Sequence, residues 1–120
     1  MTDPHAADVD CLRRAYAAFN SRDIDSAVAL MTPDVNWPRA FQGGCVIGPE
    51  AIREYWTAQW GEIDGHVEPI SFKADATGRI VVDVHQVVRD LTGTVLADEQ
   101  VQHCFTMEYG RIRRMEIGES

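Results

Sequence analysis

From Arg79 to Ile117 the chain is made almost entirely of β-forming residues, and such a run is satisfied most simply by an antiparallel ribbon. Ile80 to Arg89 forms one extended stretch, Leu91-Thr92-Gly93-Thr94 carries turn chemistry, and Val95 to Met107 forms a second stretch. A third strand follows Tyr109-Gly110. The turn decides which side chains share a face, because a shift of one residue in register moves every side chain of a strand to the other side. A three-residue Leu91-Thr92-Gly93 loop with Gly93 at positive φ sets Asp90 opposite Thr94 and His85 opposite Glu99. Odd residues of both strands then point the same way. A two-residue Thr92-Gly93 loop would separate His85 from His103. The three-residue loop is the expected one.

On that expectation Asp83, His85, Arg89 and His103 lie on one face among valines and Phe105. Ionisable groups on the covered side of a sheet cost several kcal/mol unless they meet a partner, water or a ligand. Their clustering therefore points to a cavity with a polar floor.

Three amphipathic helices are expected to cover the sheet. Asp3 and Pro4 can start the first, whose stripe is Val9, Leu12, Tyr16 and Phe19. Asp23 can cap a second, marked by Ile24, Ala27, Val28 and Met31 and ended by Thr32-Pro33-Asp34. Val35-Asn36-Trp37 reads as a short strand, and Pro38 to Gly44, with Phe41, as a loop, either the rim of a cavity or a disordered surface segment. Gly48-Pro49-Glu50 opens the third helix, with Ile52, Tyr55, Trp56, Trp60 and Ile63 as its stripe. His66 to Ala74 alternates as a strand, which Pro69 restricts to an edge or a bulge. The order places the chain in the α+β class as one domain over residues 1–120.

Composition narrows the function. A net charge of -8 with scattered basic residues argues against nucleic acid as a partner. No apolar run approaches the ~20 residues of a membrane span, and the first residues lack a signal-peptide pattern, so a cytoplasmic location is the default expectation. Cys11, Cys45 and Cys104 match no zinc spacing and are expected as free thiols, with no metal bound.

The segments Tyr16-Ala17-Ala18-Phe19-Asn20, Asp23-Ile24-Asp25, Ala29-Leu30-Met31, Gly48 to Trp56 and Phe105 to Ile112 give the chain, over nearly its whole length, a resemblance to the NTF2-like superfamily. The likeness is to its SnoaL-like and ketosteroid-isomerase-like branch. It implies a cone-shaped α+β barrel, a curved antiparallel sheet on three N-terminal helices, with an apolar pocket and a homodimer formed through the sheet. It implies a pocket wall of Phe19, Trp37, Tyr55, Trp56, Trp60, Phe105 and Met115, with Tyr16 on the first helix and His85, Arg89 and His103 on the strands.

Departures from the family's activities are informative. The base position of ketosteroid isomerase falls in Pro38-Arg39-Ala40, which has no carboxylate. The tyrosine position falls on Ala15, one place before Tyr16, and the late aspartate position on His103. The Arg-x-Asp pair of limonene epoxide hydrolase is missing, since Arg89 is followed two places on by Leu91. Scytalone dehydratase uses two strand histidines, an aspartate and tyrosines, a chemistry that His85, His103, Asp83 and Tyr55 share in kind. The expected function is cofactor-independent acid-base chemistry on a small apolar carbonyl or hydroxyl compound, of isomerase, dehydratase or cyclase type. In it His85 or His103 moves the proton, Arg89 or an indole N–H steadies an oxyanion and Asp83 orients its neighbour. The alternatives are a non-catalytic module binding a small apolar or aromatic molecule, and a dimeric scaffold with a vestigial pocket.

Overall fold

The computed structural model describes residues 5–39 and 43–118. Helix α1 runs over Ala6–Asn20 and α2 over Ile24–Val28, strands β1 and β2 over Met31–Pro38 and Cys45–Ile47, and helix α3 over Pro49–Trp60. Strands β3 Ile63–Ala74, β4 Ile80–Asp90, β5 Val95–Glu108 and β6 Arg111–Gly118 complete the chain. The six strands form one curved sheet in the order β2-β1-β6-β5-β4-β3. The expected α+β class and curved sheet on N-terminal helices are what the structure has. Among the described residues no helix is long and apolar enough to cross a membrane.

The three helices form, although the last residue of two expected stripes, Met31 and Ile63, falls on a strand. Helix α1 buries Cys11, Leu12, Ala15, Tyr16 and Ala18 against the sheet. The proposed Asp3-Pro4 start lies outside the described residues. Asp23 caps α2 by accepting from the Ser26 N–H at 3.2 Å, as expected. The sharp turn between the two helices holds Arg22 at φ 62, where its guanidinium donates to the Phe19 carbonyl at 3.1 Å and the Gly65 carbonyl at 2.9 Å, and ion-pairs with Asp64. Asn20 adds a two-sided clamp to β3. Its Nδ2 donates to the Val67 carbonyl at 2.7 Å and its Oδ1 accepts from the Val67 N–H at 2.9 Å.

Three boundaries differ from the sequence reading. Helix α2 stops at Val28, and Met31 with Thr32-Pro33-Asp34 belongs to β1 rather than to a helix and its end. Pro33 disfavours helix in the residue before it, and β1 gains a partner that local sequence cannot announce, the C-terminal strand β6. That pairing is parallel, with Met31 opposite Ile112 and Asn36 opposite Arg114, so the sheet is mixed rather than wholly antiparallel. Part of the expected rim loop becomes paired structure, since β2 zips Cys45 to Ile47 against Pro38 to Asn36. Phe41 lies outside the described residues. Strand β3 begins at Ile63, three residues early, and Pro69 sits both on the sheet edge and at a register shift before Ser71, as its missing N–H requires.

The β4–β5 hairpin is the decisive element. Its loop is the expected one, with the Asp90 N–H donating to the Thr94 carbonyl at 2.9 Å and Gly93 at φ 97. Asp90 Oδ1 also accepts from the Thr92 and Thr94 N–H groups at 2.9 and 3.0 Å. Yet Arg89 pairs with Val95 while Val88 pairs with Ala97, so Leu96 is an extra residue on β5. This bulge advances the register by one. His85 therefore faces Gln100, and His103 faces Val82. The odd residues of β5 do point inward, but on β4 the inward set is the even one.

Candidate functional site

A cavity of about 90 Å³ lies between α1, α3 and the inner face of the sheet. Its aromatic wall is the one expected. Tyr16 and Phe19 border it from α1, Tyr55 and Trp56 from α3, and Trp37, Phe105 and Met115 from the sheet. Trp56 is 2% exposed and stands edge-on to Phe19 and to Trp37, with ring centroids 5.1 and 5.4 Å apart. A dry cavity of ~150 Å³ admits benzene. The space here is smaller than that and open at one end, so a ring bound in it sits partly in the mouth.

Trp60 is the exception among the expected wall residues, since it does not border the cavity. Its ring packs on Phe19 at 5.3 Å and under the Arg22 guanidinium at 4.9 Å. Its Nε1 is buried with no hydrogen-bond partner among the described residues.

The four expected catalytic residues are split. His85 lies on the outer face of the sheet, half-exposed, with Nε2 2.7 Å from Asp98 Oδ1. Asp83 shares that outer face, where its carboxylate accepts from Ser71 Oγ at 2.8 Å and Gln102 Nε2 at 3.0 Å. Those two hydrogen bonds, Ser71 first, hold its pKa below the ordinary carboxylate value. Arg89 sits beside the bulge, paired in the ladder with Asp64 and Val95, and does not border the cavity. The expected cluster of Asp83, His85, Arg89 and His103 on one face therefore does not form, because Leu96 turns β4 over relative to β5.

His103 alone of the four reaches the cavity, at 6% exposure. Its Nδ1 is 2.7 Å from the Tyr16 hydroxyl, a buried contact between residues 87 apart in sequence. The two rings are stacked, with centroids 5.9 Å apart and planes within 5°. Burial lowers the His103 pKa to about 4 and raises that of Tyr16. Both groups are neutral at pH 7. The phenol O–H has no other acceptor among the described residues, so it donates to Nδ1 and the imidazole proton resides on Nε2. Nε2 forms no hydrogen bond among the described residues and is not sealed from solvent. The dyad thus offers the cavity an N–H donor instead of a basic nitrogen.

Two further polar side chains border the cavity that periodicity did not single out, Gln86 on β4 and Gln59 in the last turn of α3. No Asp, Glu, Lys or Arg among the described residues borders it. Nor, among the described residues, do three or more His, Cys, Asp or Glu converge as metal ligands. A signal for Gln86 existed in its place among Val82, Val84 and Val88, but only with the bulge known does that alternation point inward.

Comparison with known proteins follows the same outline. A family model described as a SnoaL-like domain matches residues 12–115. TerC, crystallised with polyporic acid, superposes with a TM-score of 0.82 at 27% identity, covering 96% of this chain and 92% of its own. A candidate polyketide cyclase from Sinorhizobium meliloti superposes with a TM-score of 0.77 at 23% identity, covering 91% and 94%. An epoxide hydrolase of M. tuberculosis, LEH-like, shares the fold with a TM-score of 0.79 at 15% identity, covering 100% and 83%. No curated protein matches the sequence.

Proposed function

Because the chain belongs to the SnoaL-like family, we propose that it binds a small, planar, largely apolar molecule whose carbonyl or hydroxyl oxygen accepts a hydrogen bond from His103 Nε2. One observation carries the reading. It is the 2.7 Å contact of the Tyr16 hydroxyl with Nδ1 of a buried imidazole at the border of a cavity walled by aromatic rings; with the phenol donating, the imidazole proton is left on Nε2. A neutral imidazole donor polarises a carbonyl without requiring a counter-charge, and in a dry site such a donor stabilises developing oxyanion character. TerC, crystallised with polyporic acid, adds support for a planar oxygenated ligand.

If a reaction follows binding, it is enolisation of that carbonyl, the step shared by isomerase- and cyclase-type chemistry: the α C–H bond breaks, its proton passes to water at the open mouth of the cavity, and the enolate oxygen is held by the N–H of His103. His103 then acts as electrophile instead of proton carrier. A pKa of about 4 makes it a weak base at neutral pH. The second reading, a binding module without turnover, is favoured by the lack of any carboxylate on the cavity wall among the described residues.

Acetophenone is a suitable probe, with one ring and one carbonyl. Wild-type protein should bind it. The double variant Tyr16→Phe/His103→Phe replaces both polar partners by apolar rings, which is close to neutral for folding, and should bind it roughly tenfold more weakly. Equal affinity in the two proteins rejects the assigned donor. Deuterium entering the acetophenone methyl group faster than in buffer, lost in the double variant, marks enolisation; binding without faster exchange marks the module.

Tyr16→Phe alone separates position from contact. It leaves the Nδ1 acceptor buried and unpaired, and the expected cost is about 1–3 kcal/mol of stability. Freed of its partner, the ring can place its proton on either nitrogen, so acetophenone affinity should fall severalfold. A titration at pH 7 beside a urea melt reads both.

A further inference from the structure

The inner face of β4 reads Ile80, Val82, Val84, Gln86, Val88, four apolar side chains and one carboxamide. We infer that Gln86 is a specificity-determining residue of the cavity, recognising a second polar group on the ligand at the end away from His103. This rests on the reading of the cavity as a ligand site.

Register supplies the geometry. His103 is opposite Val82, and Gln86 lies four residues further along the same strand, about 13 Å away along the backbone. Between them Val84 is 0% exposed. Beyond that point burial falls away. Gln86 is half-buried, and its cross-strand partner Glu99 is exposed. The cavity therefore runs from an imidazole donor in its depth to a carboxamide near its mouth, with apolar side chains between.

Gln86 makes no side-chain hydrogen bond among the described residues, and neither does Gln59, which borders the same cavity from α3. An amide set in an apolar wall with no protein partner loses free energy unless water or a ligand meets it. Valine or leucine would fit the alternation of β4 better for packing alone. A carboxamide both donates and accepts, so the group it suits is a hydroxyl, which does the same.

An aromatic ring with an oxygen at each end, plus a hydrogen bond of ~2.9 Å at either oxygen, has a reach of the same order as the ~13 Å between the two positions along the strand. The ligand class is thus a para-oxygenated arene, carbonyl inward and hydroxyl outward. The limited enclosed volume agrees, because the hydroxylated edge is then the part left in the mouth.

The test uses two probes, acetophenone and 4-hydroxyacetophenone, titrated calorimetrically into wild-type protein, Gln86→Leu and Gln86→Glu, with far-ultraviolet dichroism confirming the fold of each. Wild-type should prefer the hydroxylated probe by roughly fivefold to tenfold, the worth of one hydrogen bond. Gln86→Leu should abolish that preference, read as the ratio of the two affinities within each protein, and Gln86→Glu, which still accepts from the hydroxyl, should restore it. If both probes bind and the preference persists in Gln86→Leu, the role of Gln86 is overturned and the site reading stands. If neither probe binds wild-type protein, the site reading falls and this inference falls with it.

Discussion

Trp56→Ala should lower the unfolding free energy by about 3–5 kcal/mol, the range for removing a large buried aromatic side chain. The indole is 2% exposed and lies at the centre of the aromatic wall, touching Phe19, Trp37 and Trp60 at centroid distances of 5.1 to 5.7 Å. Edge-to-face pairs of this kind add to the area term. The vacated space would also open directly into the existing cavity, so collapse cannot refill it cheaply. Thermal unfolding should shift down by roughly 10–20 °C. Thr57→Ala, an exposed neighbour on the same helix, should change stability by no more than about 0.5 kcal/mol. A loss below about 1 kcal/mol for Trp56→Ala would mean that the wall is not packed as described.

Acidification should unfold the protein through His103 before most carboxylates contribute. Burial depresses its folded-state pKa to about 4 from the ordinary 6.5. The unfolded chain then takes up the proton first as pH falls. The stabilisation is whole above pH 6.5, shrinks steadily below it, and is gone near pH 4. The shift corresponds to about 3 kcal/mol, an order-of-magnitude figure. Carboxylates held low by hydrogen bonds, such as Asp75 at about 2, lose their contribution chiefly below pH 4. Urea denaturation at pH 7, 6, 5 and 4 should therefore show a steep fall in wild-type stability and a much flatter profile in Tyr16→Phe/His103→Phe. Parallel profiles would show that His103 is not the responsible group. Ligand affinity should decline over the lower part of the same window, because a second proton on the ring displaces the Tyr16 hydroxyl from Nδ1.

Much of this architecture is written in short-range patterns. The stripe Leu12, Tyr16, Phe19 makes α1 amphipathic by spacing alone, and Asp23 caps α2 through a bond to a residue three places on. Leu91-Thr92-Gly93 and Tyr109-Gly110 form their turns because glycine tolerates positive φ where the chain must reverse. Pro69 marks its own edge and bulge. Each of these depends on interactions within a few residues, which is why they were legible.

The chemistry of the site was not legible in the same way. Leu96 looks like any strand residue, yet as a bulge it sends Asp83 and His85 outward and brings Gln86 in. Trp60 belongs to the same helical stripe as Trp56, but its ring lies under the guanidinium of Arg22, held by the turn after α1, and does not border the cavity. The parallel partnership of β1 with β6 joins segments from opposite ends of the chain.

Sequence by itself determined the three helices, every strand but β2, their order, and a wall of aromatic rings over a sheet, since these follow from periodicity and turn chemistry. Tertiary structure alone decided which histidine faces the cavity, which phenol holds it and which amide shares the space. A single inserted residue inverts a strand without leaving any mark in its composition, and a hydrogen bond across 87 residues exists only once the sheet and helix have met.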